Sequence, residues 1–103
     1  MTDFQRELIT SEVITPSEVL LLNGVMGLNG EAGEVIDIVK KHLFQGHKLD
    51  KEHLKEELGD VAWYLAIACS GAGLTLEEVM EENIKKLSKR YPNGFESQKS
   101  INR

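Results

Sequence analysis

Cysteine and proline are scarce in this chain, and each shortage excludes a class of structure. The single cysteine, Cys69, cannot form an internal disulfide, so the chain is not a disulfide-stabilised secreted scaffold. Because Cys69 stands in an apolar stretch, we expect a buried core thiol. The two prolines leave long segments free to form uninterrupted helix. No apolar run approaches the ~20 residues that a membrane-spanning helix needs.

Basic charge is also in short supply. The chain has 12 Lys and Arg against 17 Asp and Glu, which gives a net charge of −5. Binding to a nucleic-acid backbone requires Lys and Arg to displace counterions, so general nucleic-acid binding is not expected. Anionic membrane surfaces are poor partners for the same reason. The N-terminal residues MTDFQRELIT lack the basic and then apolar segments of a signal peptide, which predicts a cytoplasmic protein.

The length of 103 residues fits one domain with a small core. A domain of this size buries only about 60–65% of the surface that its unfolded chain exposes, so self-association would add stability. We expect residues 1–95 to form a single helical domain. The polar residues 96–103 are expected to form a frayed tail.

What the sequence does contain is helical periodicity along most of its length. We predict helices at residues 2–10, 16–44, 51–70 and 76–91. Asp50 is a good N-cap for the third helix, and Thr75 with Glu78 forms a capping box before the fourth. Gly46 is expected to end the second helix in a left-handed conformation. No strand alternation is present, so the predicted fold is all-α, of the four-helix-bundle type.

Four glycines recur every third residue inside the second predicted helix, at positions 24, 27, 30 and 33. Each costs about 1 kcal/mol relative to alanine in a helix interior. Two explanations are open: a break or kink near Gly27–Gly30, or a close approach of another backbone or of a ligand. We expect a mixture of the two.

Two pairs of acidic residues stand out, Glu31 with Glu34 and Glu57 with Asp60. Spacing of i, i+3 places both members of a pair on one helix face. If the second and third helices pack antiparallel, the pairs can meet, and each carboxylate pair at ~5 Å repels by about 3 kcal/mol at an effective dielectric of ~20. A hard cation such as Mg²⁺, Mn²⁺ or Ca²⁺ would neutralise the cluster. The alternative is a solvated helix face, which spacing alone favours.

The apolar pattern of the third helix adds to the metal interpretation. Leu54, Leu58, Val61 and Leu65 define its predicted core stripe, with Glu57 at the edge. Further round the helix, acidic character gives way to aromatic and aliphatic side chains, namely those of Trp63, Tyr64 and Ile67. This predicts a pocket wall or an interface with carboxylates at one end. The three histidines, at positions 42, 47 and 53, have no regular ligand spacing and are expected at the surface.

Three segments of the sequence together resemble the MazG-like family of all-α nucleoside triphosphate pyrophosphohydrolases. The first is GEAGEV at residues 30–35, and the second is EELGDVAWYL at residues 56–65. They carry ExxE and ExxD, with 22 residues between the two motifs. The third is NIKKLSKRYPNGF at residues 83–95. The resemblance covers roughly residues 17–95, and three motifs in this order are far more specific than either acidic pair.

The resemblance implies a reaction and a set of site residues. It implies that Mg²⁺ or Mn²⁺ is held by Glu31, Glu34, Glu57 and Asp60, and that a (d)NTP is split into a monophosphate and pyrophosphate. Glu31 or Glu34 would be the catalytic acid that orients water, with no preference between them. The predicted substrate-binding residues are Lys41, Trp63, Asn83, Lys86 and Arg90.

Other interpretations of these residues stay open. Lys86 and Arg90 also suit the end of a helix as favourable charges, Lys41 suits a solvated surface, and Trp63 suits a second core face or a dimer interface. Relatives form dimers or tetramers, so a homodimer or homotetramer is expected. The alternative function is a helical oligomer that binds nucleotide or a protein partner without hydrolysis. Within the enzymes, a related hydrolase of phosphoribosylated nucleotides in histidine synthesis is a weaker match.

Overall fold

Four helices make up the computed structural model, which describes residues 2–10 and 14–94. They are α1 (Asp3–Thr10), α2 (Pro16–Phe44), α3 (Lys51–Gly71) and α4 (Leu76–Arg90). No strand occurs within these residues, so the predicted all-α class is confirmed. The predicted polar tail, residues 96–103, and Phe95 of the third motif lie outside the described residues.

The helix boundaries follow from local capping. Thr15 accepts a hydrogen bond from the Glu18 N–H at 3.1 Å, and the Glu18 carboxylate accepts one from the Thr15 N–H at 3.1 Å. Thr75 and Glu78 form the same capping box at the start of α4. Such reciprocal bonds satisfy N–H groups that have no partner inside the helix. The sequence therefore located these helix starts correctly.

The centre of the fold is an antiparallel pair formed by α2 and α3, in which glycines allow close approach. A Cβ added at Gly24 would lie 2.5 Å from the Ala68 backbone nitrogen, which is shorter than any real contact. Gly27 lies against the Tyr64 ring, and Gly71 lies against Leu21. Close approach therefore explains two of the four α2 glycines. The predicted break was wrong, because α2 is continuous from Pro16 to Phe44.

The packed face of α3 differs from the predicted stripe. Tyr64 and Ala68 face α2, whereas the side chain of Leu58, assigned to the core, is 50% exposed. The close contacts at the glycines turn α3 so that its small and aromatic positions meet α2. Cys69 is buried and free, as expected from its apolar surroundings.

The fourth helix is largely uncovered. None of the residues of α4 is buried. The radius of gyration is 18.0 Å, whereas a packed domain of this length has one of about 13 Å. Extensive packing in the described part of one chain joins only α2 and α3. None of the described helices is both long and apolar enough to cross a membrane.

Candidate metal centre

The axial register of α2 and α3 brings three of the four predicted acids together. Gly27 on α2 faces Tyr64 on α3, and the antiparallel arrangement places Glu31 opposite the preceding turn of α3. Glu31, Glu57 and Asp60 each offer one carboxylate oxygen, and these oxygens all lie within 4.8 Å of one another. The face-to-face meeting expected from the sequence is therefore present for these three acids.

Glu57 is the most enclosed member of this cluster. Its side chain is 16% exposed, and its Oε1 lies 3.4 Å from His53 Nε2. Its other oxygen, Oε2, is buried and, while the neighbouring acids are ionised, has no hydrogen-bond donor among the residues that the structure describes. A buried acceptor without a partner is unusual and unfavourable. An oxygen-seeking cation at this position would satisfy it, so the residues present fit a divalent hard metal.

The neighbouring carboxyl groups raise the pKa of Glu31 from 4.5 to about 7. The largest cause is a hydrogen bond between the carboxyls of Glu31 and Glu57, which needs one of them to be protonated. Partial burial and the negative charges of Glu57, Asp60 and Glu34 raise it further. A bound cation would replace this proton and remove the repulsion.

Glu34 is an exposed residue and lies outside the group of three carboxylates. Its charge still contributes to the raised pKa of Glu31, so it is close enough to influence the cluster. The two members of the ExxE motif therefore have different surroundings. Glu31 is a candidate ligand by geometry, whereas the structure does not group Glu34 with the other carboxylates.

The predicted substrate-binding residues are divided among separate surfaces. Asn83 and Lys86 line an open cleft of about 690 Å³, together with Leu65 of α3. Arg90 is exposed at the end of α4 and does not line this cleft. Trp63 is 63% exposed and lines a different, apolar groove of about 270 Å³ with Leu20. Within the described part of a single chain, these residues do not join the acids in one pocket.

Lys41 lies near the far end of the α2–α3 pair. Its Nζ is 3.1 Å from Asp37, and it lines a polar pocket with His47 and His53. All three histidines are exposed, as predicted. The contact of His53 with Glu57 was missed, although their i, i+4 spacing on one helix was a signal for it.

The fold and the site together define a class: an all-helical protein with a carboxylate centre between two antiparallel helices. The family model of the MazG nucleotide pyrophosphohydrolase domain matches residues 22–95, which include both acidic motifs. The chain therefore belongs to the MazG nucleotide pyrophosphohydrolase family. The resemblance found in the three sequence segments is confirmed.

One similar protein is the "Gene 37 protein" of Mycobacterium phage L5. The two are 38% identical over 73 residues, which cover 67% of this chain and 64% of that protein. The chain thus spans less than two thirds of the length of this relative, whose name states no activity. No solved structure gives a significant match.

Proposed function

We propose that the chain is a Mg²⁺-dependent nucleoside triphosphate pyrophosphohydrolase. It would convert a (d)NTP and water into a (d)NMP and pyrophosphate by breaking the bond between the α-phosphate and the oxygen that bridges to the β-phosphate. The observation that supports this most is the cluster of Glu31, Glu57 and Asp60, with its buried unpartnered oxygen, in a chain of the MazG family.

We assign the cation to these three carboxylates, with Glu34 as a fourth ligand or an acceptor beside them. Three carboxylates and no cysteine form an oxygen donor set, which suits Mg²⁺ and, as a substitute, Mn²⁺. When bound, the cation offsets the charge of the triphosphate and polarises the phosphoryl group that is attacked.

Glu34 is the best candidate for the acid that orients the attacking water and accepts its proton. It lies outside the group of three, so its oxygens do not compete for the same position. A carboxylate next to a reacting group can take a proton from water as a general base. The sequence indicated no preference between Glu31 and Glu34 for this role. We assign Glu31 as a metal ligand instead, because it contacts Glu57.

The nucleotide would extend from the carboxylates to residues of α4. Asn83 and Lys86 line a cleft with both apolar and polar groups, which suits contact with the base, the sugar or a phosphate. Arg90 adds a cation in the last turn of α4, and Trp63 offers an aromatic surface. Lys41 offers a cation on the other side of the acids.

We also propose that the active form is a homodimer or a homotetramer. Large apolar side chains are exposed on all four helices, and none of the residues of α4 is buried in the described part of the chain. A second copy placed on α4 would bury them. It could also bring Trp63 or Arg90 of one copy to the carboxylates of another. The cytoplasmic location stays a prediction from the sequence.

The first experiment is product analysis. The protein is incubated with each of the eight common ribo- and deoxyribonucleoside triphosphates and Mg²⁺, and the products are separated by ion-exchange chromatography. We expect monophosphate and pyrophosphate from at least one substrate, with loss of both in Asp60→Asn. Diphosphate and phosphate would contradict the assigned bond. Nucleotide binding without any product would favour the non-catalytic alternative.

A further inference from the structure

A polar pocket lies at the connection between α2 and α3, beyond the carboxylates. It has a volume of about 240 Å³. Four of its lining residues are lysines or histidines, namely Lys41, His47, Lys48 and His53. Its acidic lining residues are Asp37 and Asp50. A concentration of nitrogen donors in one pocket is unexpected in a chain with a net charge of −5, and nothing in the carboxylate centre requires it.

The connection that carries His47 and Lys48 is held by hydrogen bonds. Gly46 adopts a φ of 73°, a left-handed conformation that glycine accommodates without strain. The His47 N–H then donates to the Lys41 carbonyl at 3.1 Å. The His47 carbonyl accepts from His42 Nδ1 at 2.9 Å. These bonds fix the backbone of His47 against the end of α2, so the pocket has a defined shape.

Each acid of the pocket has a partner within the protein. Asp37 is 3.1 Å from Lys41, and Asp50 accepts a hydrogen bond from the His53 N–H at 3.0 Å. Lys48 has no ion pair within residues 2–10 and 14–94. Lys48 therefore lines the pocket without an ion pair of its own, beside His47 and His53. Lysine and histidine side chains that line one pocket can provide charge-assisted hydrogen bonds to a phosphate-type anion.

The pocket is continuous with the carboxylate centre. His53 lines it, and the same ring lies 3.4 Å from Glu57. Glu57 follows His53 by four residues, which is about 6 Å along a helix. A phosphate chain with one end at the carboxylates could thus reach the nitrogen donors without leaving the surface of α3.

We infer that Lys41, His47, Lys48 and His53 form the binding pocket for the pyrophosphate part of the nucleoside triphosphate. This inference rests on the proposed function, because the pyrophosphate that the pocket would bind is the leaving group of that reaction. The pocket keeps the two terminal phosphates beside the carboxylates and leaves the nucleoside to extend towards α4. Free pyrophosphate would occupy the same pocket and would therefore inhibit competitively.

The test measures the binding of inorganic pyrophosphate by isothermal titration calorimetry in EDTA. Without a metal, the carboxylates repel this anion, so any binding reports on the pocket. We expect Lys48→Gln to weaken pyrophosphate binding about tenfold, the loss of one charge-assisted hydrogen bond. Lys55→Gln is the matched control, because Lys55 lies on the same helix, pairs with Glu52 at 3.1 Å and does not line the pocket. Equal weakening in both variants, or no binding to the unaltered protein, would overturn the inference.

Kinetics separate the failure of this inference from the failure of the proposed function. In the hydrolysis assay, we expect Lys48→Gln to raise KM about tenfold and to raise the inhibition constant of pyrophosphate by the same factor. Unchanged values in a protein that forms monophosphate would refute the pocket and leave the reaction standing. If the protein hydrolyses no triphosphate but still binds pyrophosphate in a way that depends on Lys48, the proposed reaction is refuted. The pocket would then stand as an anion-binding site. Circular dichroism of each variant confirms that it is folded.

Discussion

Glu31 and Glu34 lie three positions apart on one helix face, yet their surroundings differ. Glu31 contacts the carboxylates of α3, and this contact raises its pKa to about 7. Glu34 is exposed and stays outside the cluster. The difference follows from the direction of each side chain relative to α3, not from residue type. The proposed roles, a metal ligand for Glu31 and a general base for Glu34, can therefore be tested by separate experiments.

We expect the free energy of unfolding of the metal-free protein to fall as the pH rises through 7. The pKa of Glu31 is 4.5 unfolded and about 7 folded, so the folded state holds this proton more tightly. The resulting stabilisation is complete below pH 4.5 and is lost as the pH rises through 7. Urea unfolding in EDTA between pH 5 and 8 measures it. In Glu31→Gln this component should disappear, and an identical pH dependence in both proteins would show that Glu31 is not its source.

Glutamine substitutions should separate a base from a ligand. We expect Glu34→Gln to lower kcat by a factor on the order of 10² or more with little change in Mn²⁺ affinity. Glu57→Gln should lower both, because it removes a ligand whose other oxygen is buried. Mn²⁺ binding is measured by electron paramagnetic resonance and turnover by chromatography. Loss of Mn²⁺ binding in Glu34→Gln would place Glu34 among the ligands.

At the scale of helices, the glycines of α2 have two different roles. Gly24 and Gly27 allow α3 to approach, whereas nothing lies within 4 Å of a Cβ built at Gly30 or Gly33. The first two set how closely the helices pack and how far one is shifted along the other. The acids depend on this register, because Glu31 meets Glu57 and Asp60 only when the helices are aligned in this way.

Alanine substitutions at two of these glycines should therefore have opposite effects. We expect Gly24→Ala to lower the free energy of unfolding by about 1–3 kcal/mol, because its methyl group would meet the Ala68 backbone. Gly33→Ala should raise it by up to about 1 kcal/mol, since alanine favours helix and the site is open. Chemical denaturation measures both values. A stabilising Gly24→Ala would mean that α2 and α3 are further apart than described.

At the scale of the molecule, the single chain is loosely packed, because none of the residues of α4 is buried. Its radius of gyration exceeds that of a packed domain of its length by about 5 Å. The apolar side chains of α4 that are exposed include Met80, Ile84 and Leu87, which share one helix face. Such a stripe on a helix without buried residues is typical of an interaction surface, which agrees with the self-association proposed above.

We expect the unaltered protein to sediment as a dimer or larger oligomer and Ile84→Glu to shift it towards monomer. The side chain of Ile84 is 61% exposed in one chain, and a charge there could not be buried at an interface. The matched control is Lys85→Gln, which alters the next residue, on the charged side of α4. Sedimentation velocity over a hundredfold range of concentration measures the oligomeric state of each protein. A monomer at every concentration in the unaltered protein would contradict self-association.

The features that the sequence predicted well are those that depend on neighbouring residues. Thr15 and Thr75 cap helices through bonds to residues three positions away, so the helix starts were clear. Leu58 was misassigned to the core because hydrophobicity alone does not tell which side of α3 faces α2. The sequence also could not predict where Trp63 and Asn83 lie relative to the acids, because this depends on how α3 and α4 are arranged.

The sequence by itself determined the four helices, the shared face of each acidic pair and, through its motifs, the family. These properties follow from helical geometry and short-range hydrogen bonds, which act within one or two turns. The tertiary structure decided that Glu31, Glu57 and Asp60 converge while Glu34 does not. It also decided that His53 contacts Glu57 and lines the polar pocket at the end of α2. The reason is that both depend on the rotation and axial register of α2 against α3, which are fixed by contacts such as Gly24 with Ala68 between residues far apart in the chain.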